Sequence, residues 1–105
     1  MYNLLNFNTM DSIINIGLIE CGPQKPLYIS PVSITKGYSV KKVLATDGSS
    51  EAAIKSRYPD AAIAENTRDI LEDNSIGLVI LSGASQDDMG MVGEALQAGK
   101  QIRII

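Results

Sequence analysis

Apolar and polar residues along this chain of 105 residues fall into blocks that switch between strand-like and helix-like spacing. Ile13–Ile19 is β-branched and predicts a first strand. Val40–Thr46 predicts the second, and Ala61–Ala64 a short third. Ile76–Ser82, a short apolar run bounded by turn residues, predicts a fourth strand covered on both faces. Residues 101–105 predict the fifth. Between these runs the spacing becomes helical. Ser50–Tyr58 reads as a helix stopped before Pro59. Thr67–Asp73 reads as a short helix capped by Thr67, with Ile70 and Leu71 facing inward. Residues 86–98 predict a longer helix. Ser85-Gln-Asp-Asp88 supplies its N-cap with an acid at the third position, and Gly99 suits the residue just past its end. Met89, Val92 and Leu96 follow helical spacing and are expected in the core. Gly90 and Gly93 are expected to let that helix approach the sheet closely.

Residues 22–37 are less regular. Pro23, Pro26 and Pro31 oppose one long helix, because an interior proline costs about 3 kcal/mol. The spacing predicts a loop over 23–29, then a short helix with Ser30 as N-cap, Pro31 at its first position and Gly37 ending it. Met1–Ser12 carries Leu4, Leu5, Phe7 and Met10 among asparagines. It reads as a loose arm, or as a segment that covers apolar surface or pairs with another chain. The domain proper is then 13–105. Alternating strands and helices with right-handed crossovers predict an α/β fold: a Rossmann-like, doubly wound parallel sheet in three α/β/α layers, order 3-2-1-4-5. Such a sheet binds ligands beyond the carboxyl ends of strands 1 and 4, where the strand order reverses.

Composition removes several function classes. The net charge is −3 and the three arginines, Arg57, Arg68 and Arg103, are scattered, with Lys41-Lys42 the only basic pair. That argues against nucleic acid as a partner. The chain has no histidine, which excludes imidazole-based triads, metal sites and general bases. One cysteine makes no internal disulfide, no apolar run approaches the length of a membrane span, and the first residues lack a signal-peptide pattern. The cytoplasm is the expected compartment, without membrane attachment. Cys21 is expected to be a small buried residue rather than a reactive thiol. Asp87/Asp88 and Glu72/Asp73 have no third ligand at metal-binding spacing, and helix-start charge accounts for the first pair. Glu20 and Asp88 are the one carboxylate pair expected to project across the crevice from adjacent strand ends.

Four stretches carry a family resemblance: Ile16-Gly-Leu-Ile, Asp47 at the end of the second strand, Asn66 through Ile80, and Glu94-Ala-Leu-Gln-Ala-Gly-Lys-Gln-Ile102. On these the chain from residue 13 onward resembles the N-terminal domain of the glucose–fructose oxidoreductase/inositol dehydrogenase (Gfo/Idh/MocA) family. The resemblance implies an NAD or NADP site built on a Gly-x-Gly-x-x-Gly/Ala turn. Here that turn is Glu20-Cys21-Gly22-Pro23-Gln24-Lys25, which keeps only the middle glycine. The implied cofactor-binding residues are Gly17, Glu20, Gly22, Asp47, Ser82, Gly83 and Ser85. Asp47 stands where the family has its ribose-binding acid, and it is equally readable as a turn residue. Glu20 would set a negative charge where a pyrophosphate approaches, a repulsion of about 4 kcal/mol per charge pair at 4 Å and an effective dielectric near 20. Lys25 would offset part of it. Asp88 occupies the position of the family's histidine, and the family's lysine-bearing segment would fall beyond Ile105.

Three readings follow. The first is a degenerate Rossmann domain without catalysis of its own, a binding or assembly module with weak affinity for a nucleotide-type molecule. The second is the NAD(P)-binding component of an oxidoreductase completed by a partner chain. The third is a CoA-binding-type domain, suggested by Gly37-Tyr38-Ser39-Val40. The edge Gln101–Ile105, with three isoleucines, is expected to pair with a second copy in a two-fold dimer or to lie under the N-terminal arm.

Overall fold

Two runs of consecutive buried residues, Ile16–Glu20 and Leu78–Leu81, form the middle of a sheet covered on both faces. The computed structural model describes residues 13–22, 37–46, 48 and 50–105. The arm over 1–12, the helix expected from Ser30, and Asp47 and Lys25 lie outside them. The strands are β1 (Ile14–Glu20), β2 (Tyr38–Ala45), β3 (Ala62–Ile63), β4 (Ile76–Ser82) and β5 (Gln101–Ile104). All pairings are parallel, in the order β3-β2-β1-β4-β5. The helices are α1 (Glu51–Arg57), α2 (Thr67–Leu71) and α3 (Gly90–Gln97), with a 3-10 turn at Gln86–Asp88. The expected Rossmann-like α/β fold is the one observed.

Alternation along the strands sorts the core into two layers. On one face Ile54 of α1 and Tyr58 pack against Ile16, Leu18, Val43 and Ile80. On the other, Ile70 of α2 packs with Ile19, Leu44, Val79 and Leu81, joined by Met91 and Val92 of α3. Ser50 caps α1 by accepting from the Ala53 amide at 3.2 Å, and Tyr58 ends it just before Pro59. Asn66, not Thr67, caps α2, its side chain accepting from the Asp69 amide at 3.0 Å. Asn66 holds the extended backbone a cap needs, and Thr67 is already helical.

The last helix departs most from expectation. A 3-10 turn and Met89 precede α3, so the helical phase restarts. Ala95 is buried completely while Leu96 is 59% exposed, and Met89 and Val92 are half-buried. A Cβ at Gly90 or Gly93 would meet nothing within 4 Å, so neither glycine serves helix–sheet contact. Ile104 is 49% exposed on β5, which among the described residues pairs on its β4 side alone.

Beta-bulges interrupt alternation on both sides of β1. Between Ile16 and Gly17 the β2 register skips Lys41, and between Asn15 and Ile16 the β4 register skips Gly77. Each extra residue reverses the facing of what precedes it. Tyr38 and Val40 thereby join the same layer as Val43, and Ile76 joins the layer of Val79 and Leu81. The bulge also brings two adjacent lysines to one acceptor: Lys41 Nζ lies 2.8 Å and Lys42 Nζ 3.1 Å from the Asp73 carboxylate. Ser75 donates to the same carboxylate through its amide and hydroxyl. Lys100, of the Ala-Gly-Lys run, is buried and donates to the carbonyls of Asp73 at 2.8 Å and Ile76 at 2.7 Å. These contacts hold the turn that starts β4.

The Asp73 carboxyl is held well below the ordinary carboxylate range, first by Lys41 and then by the Ser75 hydroxyl, against the opposing effect of burial. A depressed folded-state value stabilises the fold above the unfolded value, near 4, and that contribution disappears as pH falls through the lower folded value. Asp73→Asn should therefore be less stable than the parent in urea at pH 7, with the gap closing as pH is lowered below about 4. A gap that is constant with pH would show that the charge is irrelevant.

Gly17 makes a second test. A Cβ there would lie 2.4 Å from Ile70 Cγ2, an overlap that cannot be accommodated without movement. Gly17→Ala should cost about 1–3 kcal/mol through overpacking. In an Ile70→Ala background the cost of the same change should fall, because the opposing methyl is gone. Additive losses in equilibrium unfolding would contradict the contact.

Candidate functional site

The parallel order brings the carboxyl ends of β2, β1 and β4 side by side, and hydrogen bonds extend the sheet past the strand ends. The Glu20 carbonyl accepts from the Thr46 amide at 2.9 Å and from Thr46 Oγ1 at 3.2 Å. The Cys21 amide donates to the Ser82 carbonyl at 2.8 Å. On the far side of β4 the Gly83 amide donates to the Ile105 carbonyl at 3.0 Å, and the Ile105 amide to Leu81 at 2.9 Å. Gly83 turns the chain with φ of 69°, a conformation that favours glycine. Its amide is committed to the β5 side and does not point a donor at the crevice.

Glu20 is placed differently from the expectation of a charge in the turn. It is the last residue of β1, and it continues the row of Ile16 and Leu18 toward the face that α1 covers. Its side chain is 5% exposed and its carboxylate lies 2.6 Å from Nη2 of Arg57, the last residue of α1. A buried carboxylate has to be paired, since an uncompensated ion is costly in the interior. The repulsion expected at the end of β1 is therefore offset within the chain. Arg57 is one of three arginines scattered along the sequence. Its signal was present: Ile54, Arg57 and Tyr58 lie at i, i+3 and i+4, so the arginine sits on the inward side of α1. The guanidinium carbon is 6.0 Å from the Tyr58 ring centre, at the outer reach of a cation–π contact. Arg57 Nε is buried with no hydrogen-bond partner among the described residues.

The remaining residues divide between crevice and scaffold. Gly22 is half-buried in the bend just after β1, and Ser82 is half-buried at the end of β4. Gly17 is buried at mid-strand, where its missing side chain admits Ile70. Ser85 is exposed and engaged locally: its amide at 2.8 Å and its hydroxyl at 3.1 Å both donate to the Asp88 carboxylate. The expected facing of Glu20 and Asp88 across the crevice is not what forms, since Glu20 is turned to Arg57 and Asp88 to Ser85. Cys21 is half-buried against the second core layer rather than fully buried, because it lies one residue beyond the strand end. Among the described residues no three acidic or cysteine side chains group as metal ligands, and no helix is long and apolar enough to cross a membrane.

No family model matches the chain, and no curated protein does. Several solved structures do. A protein from Bacteroides fragilis assigned as an oxidoreductase is similar over 89% of this chain and 28% of its own, at 28% identity and a TM-score of 0.70. One from Yersinia pestis, also assigned as an oxidoreductase, is similar over 92% of this chain and 27% of its own, with 21% identity and a TM-score of 0.74. S. aureus homoserine dehydrogenase reaches a TM-score of 0.55 at 17% identity, over 87% of this chain and 26% of its own. The chain thus spans little more than a quarter of the length of these proteins, and the likeness is that of a Rossmann-like α/β fold.

The Glu20–Arg57 pair makes a stability prediction of its own. Arg57→Met strands a buried carboxylate and should cost about 3–5 kcal/mol. Replacing both residues, Glu20→Met with Arg57→Met, should recover most of that loss, because no charge is left unpaired. Chemical denaturation of the two variants decides it. A double variant no more stable than the single one would show that the pair contributes more than mutual neutralisation.

Proposed function

We propose that this chain is a Rossmann-like binding module whose crevice, at the carboxyl ends of β1, β2 and β4, takes an adenosine-type ligand and binds a whole dinucleotide weakly. The observation that carries the reading is the state of the β1 end. Where a dinucleotide site needs a glycine and open backbone, this chain has a buried glutamate already paired with an arginine. The sheet order that supports the reading is present, with Ser82 and Thr46 at the strand ends where the order reverses and Gly22 in the bend after β1. Catalysis is assigned to no residue of this chain, which has no histidine to move a proton.

A second reading is an NAD- or NADP-binding component of an oxidoreductase. It is favoured by the solved structures of like fold, assigned as oxidoreductases or homoserine dehydrogenase, of which this chain matches about a quarter. Separate calorimetric titrations with adenosine, NAD, NADP and CoA discriminate the readings. The first expects measurable adenosine binding and NAD or NADP dissociation constants above about 10 μM, or −7 kcal/mol. A tighter constant for either dinucleotide supports the second reading, and tighter binding of CoA than of adenosine overturns the first.

A further inference from the structure

We infer that the Glu20 carboxylate is a built-in occupant of an oxyanion site whose donor is Arg57, and that this contact makes the crevice select against phosphorylated ligands. The inference rests on reading the carboxyl edge as the ligand crevice. Its geometry is independent of that reading. The ion pair sits at the end of β1, the carboxylate nearly enclosed and the guanidinium side chain 21% exposed. The arginine therefore lies at the boundary between core and solvent. It presents a planar fork of donors matched to carboxylate or phosphate oxygens. One donor is taken by Glu20 at 2.6 Å, and the Nε donor has no partner among the described residues. The carboxylate thus fills an oxyanion's place with the chain's own charge. A ligand phosphate arriving beside it meets a cation already neutralised, and the second negative charge goes unmatched. An uncharged nucleoside carries no such penalty.

Removing the occupant should expose the site. Inorganic phosphate is the probe, titrated against the parent, Glu20→Ala and Glu20→Gln at constant ionic strength with chloride as the reference. Thermal stability and phosphate-dependent amide shifts are the readouts. The parent should respond to phosphate as it does to chloride. Both variants should bind phosphate about tenfold more tightly or better than the parent, as one charge-assisted contact provides. That gain should vanish when Arg57→Met is added. If Glu20→Ala fails to fold in chloride, its recovery on refolding in phosphate carries the same meaning. Equal phosphate responses in parent and Glu20→Gln would overturn the inference, and so would a gain that survives Arg57→Met. A comparison of adenosine with AMP on the parent separates this from the proposed function. A parent that binds neither refutes the module reading while the phosphate arms still decide the Arg57 site. A parent that binds AMP better than adenosine overturns the selection against phosphate.

Discussion

The first strand, β1, has neighbours on both edges and cover on both faces, and most of what is particular to this protein follows from that enclosure. Its edges are taken by β2 and β4, its faces by the layers under α1 and under α2 and α3. From Ile16 to Glu20 that position offers each residue a fixed volume and no water. Gly17 answers the volume limit by yielding space to Ile70. Glu20 answers the lack of water by pairing with Arg57. Because interiors pack at crystal-like density, neither position tolerates a change without a matching change in its neighbour.

The two ends of the sheet solve their charge problems in the same manner. At the amino end, Asp73 collects Lys41 and Lys42, while Lys100 is committed to two carbonyls of the same turn. Exposed ion pairs of the Arg68–Glu72 kind, with both side chains more than two-thirds exposed, contribute little. The Glu20–Arg57 pair is the one whose carboxylate the fold encloses. The bulge at Lys41 is what makes the arrangement around Asp73 possible, since in a regular strand consecutive lysines would face opposite sides.

The strands were legible because their signal is local: an apolar run of strand length between turn residues needs no tertiary knowledge, and Ile76–Ser82 was read to the residue. What failed was phase. The 3-10 turn before α3 resets the helical count, so simple helical spacing puts Leu96 inward while the residue that is buried is Ala95. The bulges are invisible to alternation for the same reason, since one unpaired residue inverts everything before it. In the candidate site the positions of Ser82, Gly83 and Ser85 at the end of β4 were readable from the turn. The partner of Glu20 is not, because Arg57 is 37 residues away in sequence and only the packing of α1 on the sheet brings it there. The Ala-Gly-Lys run marked a likeness, while the role of Lys100 as a donor to buried carbonyls emerged only in three dimensions.

A shared sheet order says little about chemistry, since one architecture hosts many activities and the differences lie at the strand ends. In this chain the end of β1 carries a charge that has its own partner. A glutamate at the end of a buried strand would by itself be a costly unpaired charge. Coupled to an arginine that α1 delivers at hydrogen-bonding distance, it becomes a stable feature of the sheet's end. Breaking a buried pair costs about 3–5 kcal/mol, more than one charge-assisted hydrogen bond returns. The energetic balance therefore favours the closed pair, and the end of β1 keeps its charge matched from within the chain.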